Sequence, residues 1–153
     1  MIDDVSLKIL KILQKKARIP NVEVARQVGM APSAVLERIR KLEKQGFIDG
    51  YEVRLNPKRF ARSLVAFVKV KLKKLDEEAA VGEMLSRMPE VQEVHYVAGA
   101  DAFLVKIRVA DTQALARLAR DKIAGIAAVQ STETAIALST YKETARIPIE
   151  QID

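Results

Sequence analysis

Small, acidic and basic side chains recur at helical spacing between residues 32 and 44. At about 100° per residue, the helix face opposite Ile39 carries Ser33, Ala34, Glu37, Lys41 and Lys44, with Arg38 and Arg40 at its flanks. Small residues let a helix enter the major groove of DNA, lysine and arginine reach phosphates or guanine edges, and a glutamate accepts a hydrogen bond from cytosine. The face therefore predicts contact with double-stranded DNA. The alternative is a solvated face with an ordinary Glu37–Lys41 pair.

Other chemistries are limited by what the chain lacks. It has no cysteine and a single histidine, His95, which excludes disulfides, zinc–thiolate sites, thiol nucleophiles and multi-histidine metal sites. The sequence suggests no second base around His95, and we interpret it as an ordinary strand residue. These absences exclude most metalloenzyme chemistry. We further expect no catalytic residue, no metal and no cofactor, and we expect that the protein is not an enzyme.

The net charge of +6 is concentrated in the N-terminal part of the chain. Residues 1–60 hold 13 Lys and Arg against 7 Asp and Glu, whereas residues 61–153 hold 13 of each. Because a one-sided positive field attracts a phosphate backbone, this distribution favours a polyanionic partner. A surplus that serves only solubility is the alternative.

Three short helices are predicted to position the basic face. Asn21 is predicted to cap the second helix, Gly29 to end it, Pro32 to open the third and Gly46 to end that one. The apolar stripes are Val5, Ile9, Ile12 and Leu13 in the first helix, Val24, Ala25 and Val28 in the second, and Val35, Leu36, Ile39 and Leu42 in the third. A glycine turn between the last two helices is typical of a helix-turn-helix, to which we assign residues 1–46.

The apolar period changes to two after the third helix. Apolar and charged residues alternate imperfectly from Phe47 to Leu55, up to a break at Asn56 and Pro57, which predicts an extended segment. We assign residues 47–62 to a strand-containing linker between two domains. A wing or loop of the first domain is the alternative.

Residues 63–153 alternate strand-like and helix-like patterns. A first strand over residues 64–74 precedes a helix that opens at Asp76 and stops at Pro89. A hairpin, a helix over Thr112–Ile123 and a strand over Val129–Leu138 follow. The predicted core residues include Val81, Met84, Leu85 and Met88 in the first helix and Phe103, Val105, Ile107 and Val109 in the hairpin.

This order, βαββαβ, predicts a ferredoxin-like domain in which two helices cover one face of a four-stranded antiparallel sheet. The whole chain is thus predicted to be α+β, with a winged-helix-like N-terminal domain. Val65 and Phe67 leave apolar surface on the other sheet face, and pairing of two such sheets about a two-fold axis would remove it from water. We therefore expect a dimer that offers two third helices to a palindromic site.

Three stretches carry a resemblance to a known family: IDDVSLKILKILQKKARIPNVEVARQVGMAPSAVLERIRKLEKQGFIDGY, LNPKRF and VHYVAGADAFLVKIRV. The chain resembles the leucine-responsive regulatory protein/AsnC (Lrp/AsnC) family of bacterial and archaeal transcription regulators over almost its whole length. The resemblance implies a sequence-specific DNA-binding regulator that forms dimers and commonly octamers. This chain departs from the family where Ser6 replaces a frequent Asp. It departs again where Ala31 replaces a frequent Ser before Pro32, which removes an N-cap worth about 1 kcal/mol.

The resemblance also implies a small effector, usually an amino acid, held between dimers near the turn of the central hairpin. The family pattern there is a Gly followed three residues later by an Asp, whereas this chain has Ala102 at that position and Asp101 one residue earlier. The resemblance implies as effector-binding residues Gly99, Ala100, Asp101 and Ala102, with Thr132 and Thr134 from the last strand. The alternative is an ordinary glycine turn and threonines that serve only as strand formers.

Two other function classes stay open. Haem-precursor (sirohaem) decarboxylases are similar to the family in both domains, although a single histidine and a complete basic helix fit them poorly. The other class is a metabolite-binding assembly module without DNA contact. The sequence has no apolar run of about 18 residues and begins MIDDVS, with acidic residues where a signal peptide would be basic. We expect a cytoplasmic protein with no membrane partner.

Overall fold

The computed structural model describes residues 2–150. The chain divides into two compact units: the N-terminal helices up to Arg54 with the C-terminal tail from Glu143, and Leu55–Lys142. The helices and strands are α1 (Asp4–Lys15), α2 (Asn21–Val28), α3 (Pro32–Lys44), β1 (Leu64–Leu72), α4 (Glu78–Ser86), β2 (Val91–Val97), β3 (Ala102–Val109), α5 (Thr112–Arg117) and β4 (Val129–Ile136).

The helices of the first unit pack around one apolar core. Asp3 is the N-cap of α1, and its Oδ1 accepts a hydrogen bond from the backbone N–H of Ser6 at 2.8 Å. Gly29 ends α2 with φ of 70°, a left-handed conformation that glycine adopts without strain. The buried core residues are Ile9, Leu13, Val24, Ala25, Val35, Ile39 and Leu42. The predicted helix-turn-helix is confirmed.

The helix starts agree only in part with the prediction. Pro20 occupies the N-cap position of α2 and Asn21 is already helical, so Asn21 does not cap this helix as predicted. α3 begins at Pro32 as expected, and Ala31 provides no side-chain hydrogen bond to its first turn. Proline suits the first helical turn because a backbone N–H at that position has no intrahelical acceptor, so a residue without an N–H loses no hydrogen bond.

The segment between the two units contains no strand in the described structure. It is irregular as far as Asn56, whose Oδ1 accepts a hydrogen bond from the N–H of Lys58 at 3.1 Å and opens a short 3₁₀ helix, Pro57–Phe60. The strand predicted within residues 47–62 is therefore wrong for the single chain. A strand needs hydrogen bonds to a neighbouring strand, and alternation of apolar residues does not supply that neighbour.

The C-terminal tail from Glu143 belongs to the first unit, not to the domain predicted over residues 63–153, because it packs on α1. Gln14 Nε2 donates to the carbonyl oxygen of Ile147 at 2.7 Å, and the Ile147 N–H donates to Gln14 Oε1 at 3.0 Å. Arg146 Nη2 donates to the carbonyl oxygen of Lys15 at 3.3 Å. These three hydrogen bonds join the tail to the last turns of α1, within the first unit.

The second unit is a four-stranded antiparallel sheet in the order β2-β3-β1-β4. Val68 lies between Val105 and Thr134 in the register, and cross-strand partners share a face of the sheet. The core formed with α4 and α5 contains Ala66, Val68, Val70, Leu72, Val81, Leu85, Phe103, Val105, Ile107, Val109, Leu115, Leu118, Ile123 and Val129. The predicted ferredoxin-like order is confirmed.

Details of the second unit differ from the prediction. Met84 is half-exposed, because α4 buries only Val81 and Leu85 along an i, i+4 line. α5 continues beyond Arg117 as a π-helical segment, Leu118–Ile123. β4 ends two residues before Leu138.

The face of the sheet away from the helices is open in the single chain. Phe67 and Leu104 lie on this face and are 37% and 38% exposed. Lys69 and Glu133, which are cross-strand partners, lie beside them. Val65 was expected to add apolar surface here, but it is buried within the chain. The open face is thus a small apolar area among charged side chains.

Candidate functional site

Six of the seven side chains predicted to contact DNA lie along one side of α3. The opposite side buries Val35, Ile39 and Leu42 in the core, which turns the polar side of the helix outward. Ser33, Glu37, Arg40, Lys41 and Lys44 are exposed, while Ala34 and Arg38 are half-buried. We name Ser33, Ala34, Glu37, Arg40, Lys41 and Lys44 together the recognition face.

Glu37 pairs with Arg40 on this face, with 3.5 Å between Oε1 and Nη1. The predicted alternative paired Glu37 with Lys41 instead. Both Glu37 and Arg40 are mostly exposed, so solvent screens their attraction. Lys41 and Lys44 add positive charge in the last turn of the helix.

Arg38 has different surroundings from the rest of the predicted set. Its Nη1 donates to Asp3 Oδ2 at 2.5 Å and to Ser6 Oγ at 3.0 Å, so the side chain faces the start of α1. The Arg38 guanidinium, followed by the Ser6 N–H, holds the pKa of Asp3 well below its ordinary value. The prediction grouped Arg38 with the DNA contacts because helical spacing cannot show that a neighbouring helix supplies a carboxylate.

Tyr51 joins the segment after α3 to that helix by a hydrogen bond. The sequence patterns did not single out Tyr51 as a functional residue. Its hydroxyl donates to Glu43 Oε1 at 2.8 Å. Burial and, secondly, this hydrogen bond raise the pKa of Tyr51 to about 12. Glu43 lies in α3 and Tyr51 seven residues beyond the end of that helix, so helical spacing does not predict that they meet.

The predicted effector turn joins β2 to β3. Gly99 and Asp101 have left-handed backbones, with φ of 82° and 45°, and aspartate is among the residues that tolerate this conformation. Asp101 is exposed, whereas Ala102 is fully buried and pairs with both Lys71 and Val97. The carboxylate is therefore available at the turn, one residue before the position expected from the family pattern.

Thr132 and Thr134 do not approach this turn within one chain. They lie on β4 opposite Val70 and Val68, so they project towards the helix-covered face. Since β1 separates β3 from β4, the lateral distance between β3 and β4 is about 10 Å. The six predicted effector residues thus form two separate groups.

Tyr96 lies close to the effector turn and was missed by the sequence patterns. Its ring contacts Phe103 edge to face, with centroids 5.2 Å apart. Its buried hydroxyl has no hydrogen-bond partner among the described residues. Burial, followed by the charges of Asp101 and Glu78, raises the pKa of Tyr96.

His95 lies near the same hairpin, with its Nε2 3.2 Å from Glu93 Oε2. Lys106 Nζ donates to the other oxygen of Glu93 at 3.0 Å. Lys106 and, secondly, His95 lower the pKa of Glu93. Glu93 therefore contacts both side chains, and His95 lies within β2, in agreement with its interpretation as a strand residue.

A cavity of about 440 Å³ opens at the far end of β3 from the effector turn. Charged side chains dominate its wall, including Arg62, Glu90, Arg117 and Lys122. None of the predicted effector residues lines it.

Within residues 2–150, no helix has the length and apolar character needed to cross a membrane. No cluster of acidic or histidine side chains in that range could hold a metal ion.

Comparison with known proteins identifies the family. The model for the Lrp/AsnC ligand binding domain matches residues 65–147, and the model for a winged helix-turn-helix DNA-binding domain matches residues 2–49. The leucine-responsive regulatory proteins of Escherichia coli and Klebsiella pneumoniae are each 36% identical over 151 residues, which is 97% of this chain and 92% of theirs.

The chain belongs to the Lrp/AsnC family.

Solved structures of Lrp/AsnC regulators have the same fold. E. coli AsnC superposes with a TM-score of 0.88 at 28% identity, over 95% of this chain and 98% of AsnC. A Neisseria meningitidis regulator in complex with L-Met gives 0.91 at 28% identity, with 97% of each chain covered. A Mycobacterium tuberculosis feast or famine protein in complex with L-methionine gives 0.88 at 29%, over 96% and 99%.

As a member of the Lrp/AsnC family, this protein is a DNA-binding transcription regulator. The comparisons support this function over the decarboxylase and over the assembly module without DNA contact.

Proposed function

We propose that the recognition face enters the major groove of operator DNA and that the second unit assembles copies of the chain and binds an amino acid. The observation that carries the DNA proposal is the arrangement of α3, which buries one side and exposes Ser33, Glu37 and Lys41 together on the other. A helix that presents small and basic residues after a glycine turn has the features of a helix-turn-helix recognition helix.

The residues of the recognition face would contact different parts of the DNA, because their side chains differ in length and charge. Ser33 and Ala34 allow close approach to the base edges, and Glu37 accepts a hydrogen bond from a cytosine amine. Lys41 and Lys44 bind phosphates, which adds affinity without sequence information. Among the described residues, Arg40 pairs with the exposed Glu37 alone, and it can turn to a phosphate when the helix docks.

The open sheet face supports a dimer. Phe67 and Leu104 are exposed in the single chain, and two sheets paired about a two-fold axis would remove them from water. Such a dimer presents two copies of α3 to the two halves of a palindromic site. Octamers, which the family resemblance implies, would be built from these dimers.

The effector we propose is an amino acid, in line with the L-methionine in two of the related structures. Asp101 is exposed at the turn and supplies a carboxylate for an ammonium group. Because Thr132 and Thr134 lie away from Asp101 in one chain, the complete site would combine the turn of one copy with β4 of another. Binding there would change the assembly and thus the number of half-sites held at once.

We also propose that the protein acts in the cytoplasm and without catalysis. Its single histidine pairs with Glu93 on the sheet face, whereas the similar decarboxylases rely on histidine and basic residues around a tetrapyrrole. A shift of the Soret band on incubation with a tetrapyrrole, in a protein without DNA affinity, would favour the enzyme.

Selection of bound fragments from genomic DNA, with and without each amino acid, tests the proposal. We expect fragments that share a palindromic motif, and a fragment set that changes with one amino acid. Glu37→Gln should change the preferred motif, while Lys74→Ala, at an exposed position of the second unit, should leave it unchanged. Fragments without a shared motif would refute sequence-specific binding, and identical sets with every amino acid would refute the effector.

A further inference from the structure

Two arginines of α3 have different environments although they are only two residues apart. The Arg38 side chain is 33% exposed and donates to Asp3 and Ser6, whereas Arg40 is 64% exposed. Arg38 is therefore directed towards the start of α1, and Arg40 is directed towards solvent.

Asp3 uses its two carboxylate oxygens for two different tasks. Oδ1 accepts from the Ser6 N–H and caps α1, while Oδ2 accepts from Arg38. The hydroxyl of the buried Ser6 is a second acceptor for the same Arg38 nitrogen. Hydrogen bonds between charged groups are directional and stronger than neutral ones, so this contact joins α3 to the first turn of α1 in one geometry.

The apolar stripe of α3 alone would leave the helix some freedom to rotate. Val35, Ile39 and Leu42 hold it against the core, but hydrophobic contact is non-directional. Side-chain tips lie about 5–6 Å from a helix axis, so a rotation of about 10° moves them by about 1 Å. A binding site generally needs its side chains within about 0.5 Å of the productive geometry.

We propose that Arg38 is a positioning residue for DNA binding, which fixes the rotation of α3 through Asp3 and Ser6 without contacting DNA itself. By doing so it sets the direction of Ser33, Glu37 and Lys41 in the groove. The inference rests on the proposed contact between the recognition face and DNA.

Asp3→Asn is the sharpest test, because asparagine caps a helix about as well as aspartate but presents an amide where the carboxylate oxygen accepted from Arg38. Because the Asp3 side chain is 54% exposed and solvent screens its attraction to Arg38, we expect Asp3→Asn and Arg38→Gln each to weaken binding to a selected operator duplex about two- to fivefold. The slope of affinity against salt should stay within about half a unit of the wild type, since no phosphate contact is lost. The double variant should bind no more weakly than the weaker single variant, since both changes break one contact.

A direct DNA contact by Arg38 gives the opposite pattern. Asp3→Asn would then release Arg38 and remove a negative charge, so binding would strengthen, and Arg38→Gln would lower the salt slope by about one. That pattern would overturn the inference. Operator affinity that is unchanged in both variants would overturn it as well.

Lys41→Ala separates this inference from the proposed function. If Lys41→Ala leaves the salt slope unchanged, the proposed DNA face fails. If it lowers the slope while Asp3→Asn does not weaken operator binding, only the role of Arg38 fails. Circular dichroism checks that each variant folds. If Arg38→Gln does not fold, Ser6→Ala removes only the second acceptor and should cause a smaller loss of operator affinity, and no loss would contradict the proposal.

Discussion

Replacing both Lys41 and Lys44 by alanine should flatten the salt dependence of DNA binding while the protein stays folded. Both side chains are exposed on the recognition face, and alanine favours a helix at least as well as lysine. Each lysine that neutralises one phosphate contributes about 0.9 to the slope of log affinity against log salt. The double variant should therefore lose about 1.8 units for each α3 that is bound.

A dimer on a complete palindromic site carries two copies of α3, which doubles the expected loss to about 3.6 units. Between 50 and 200 mM salt, a change of 1.8 units alters the ratio of the two affinities about twelvefold. The effect is thus measurable even if a single half-site is occupied.

The assay is fluorescence anisotropy with a labelled operator duplex, titrated at several salt concentrations between these limits. Lys74→Ala is the matched control, because it removes an exposed lysine of the second unit and should keep the wild-type slope. An unchanged slope in the double variant would show that neither lysine meets a phosphate, which would refute our orientation of α3.

Three further changes test other parts of the structure. The pKa of Tyr51 is raised to about 12 in the folded protein. The protonated hydroxyl therefore contributes fully to the unfolding free energy below its ordinary pKa near 10, and this contribution is lost as the pH rises towards 12. Urea unfolding of Tyr51→Phe should show no such alkaline loss. Phe67→Lys should shift the dimer towards monomer in sedimentation, because it places charge where Phe67 and Leu104 would be buried. Gln14→Ala should lower the unfolding free energy of the first unit by about 1 kcal/mol, because it removes two exposed hydrogen bonds to the backbone of Ile147, whose groups can then bond to water.

Each of these experiments has a control and a contradictory outcome. Equal alkaline destabilisation of Tyr51→Phe and the wild type would show that another group titrates. Lys69 lies on the same open face, and Lys69→Ala removes a charge there instead of adding one. This control variant should remain a dimer. A Phe67→Lys variant that stays dimeric would require a different interface. For the tail, Gln27→Ala on α2 is a comparison of the same residue type, and equal stability of the Gln14→Ala variant and the wild type would show that the tail contributes nothing to the first unit.

Local patterns predicted most of the helices and strands because each depends on residues close together in the chain. The stripe of Val35, Ile39 and Leu42 defines the buried side of α3 by spacing alone. Alternation in β1 and β3 defines their core side in the same way. Short-range rules also identified Gly29 and Pro32 as helix boundaries, but they failed at Asn21, where a proline took the capping position.

The sequence by itself determined which side of α3 carries small and basic residues, since helical spacing orders them whatever surrounds the helix. Only the tertiary structure decided which of them is free to face a partner. Asp3 is 35 residues from Arg38 along the chain, yet its carboxylate accepts a hydrogen bond from the Arg38 guanidinium. The same holds for the tail on Gln14 and for the separation of Asp101 from Thr132 by an intervening strand. Such pairings depend on how distant segments meet, and spacing along the chain contains no information about a partner that the fold brings from elsewhere.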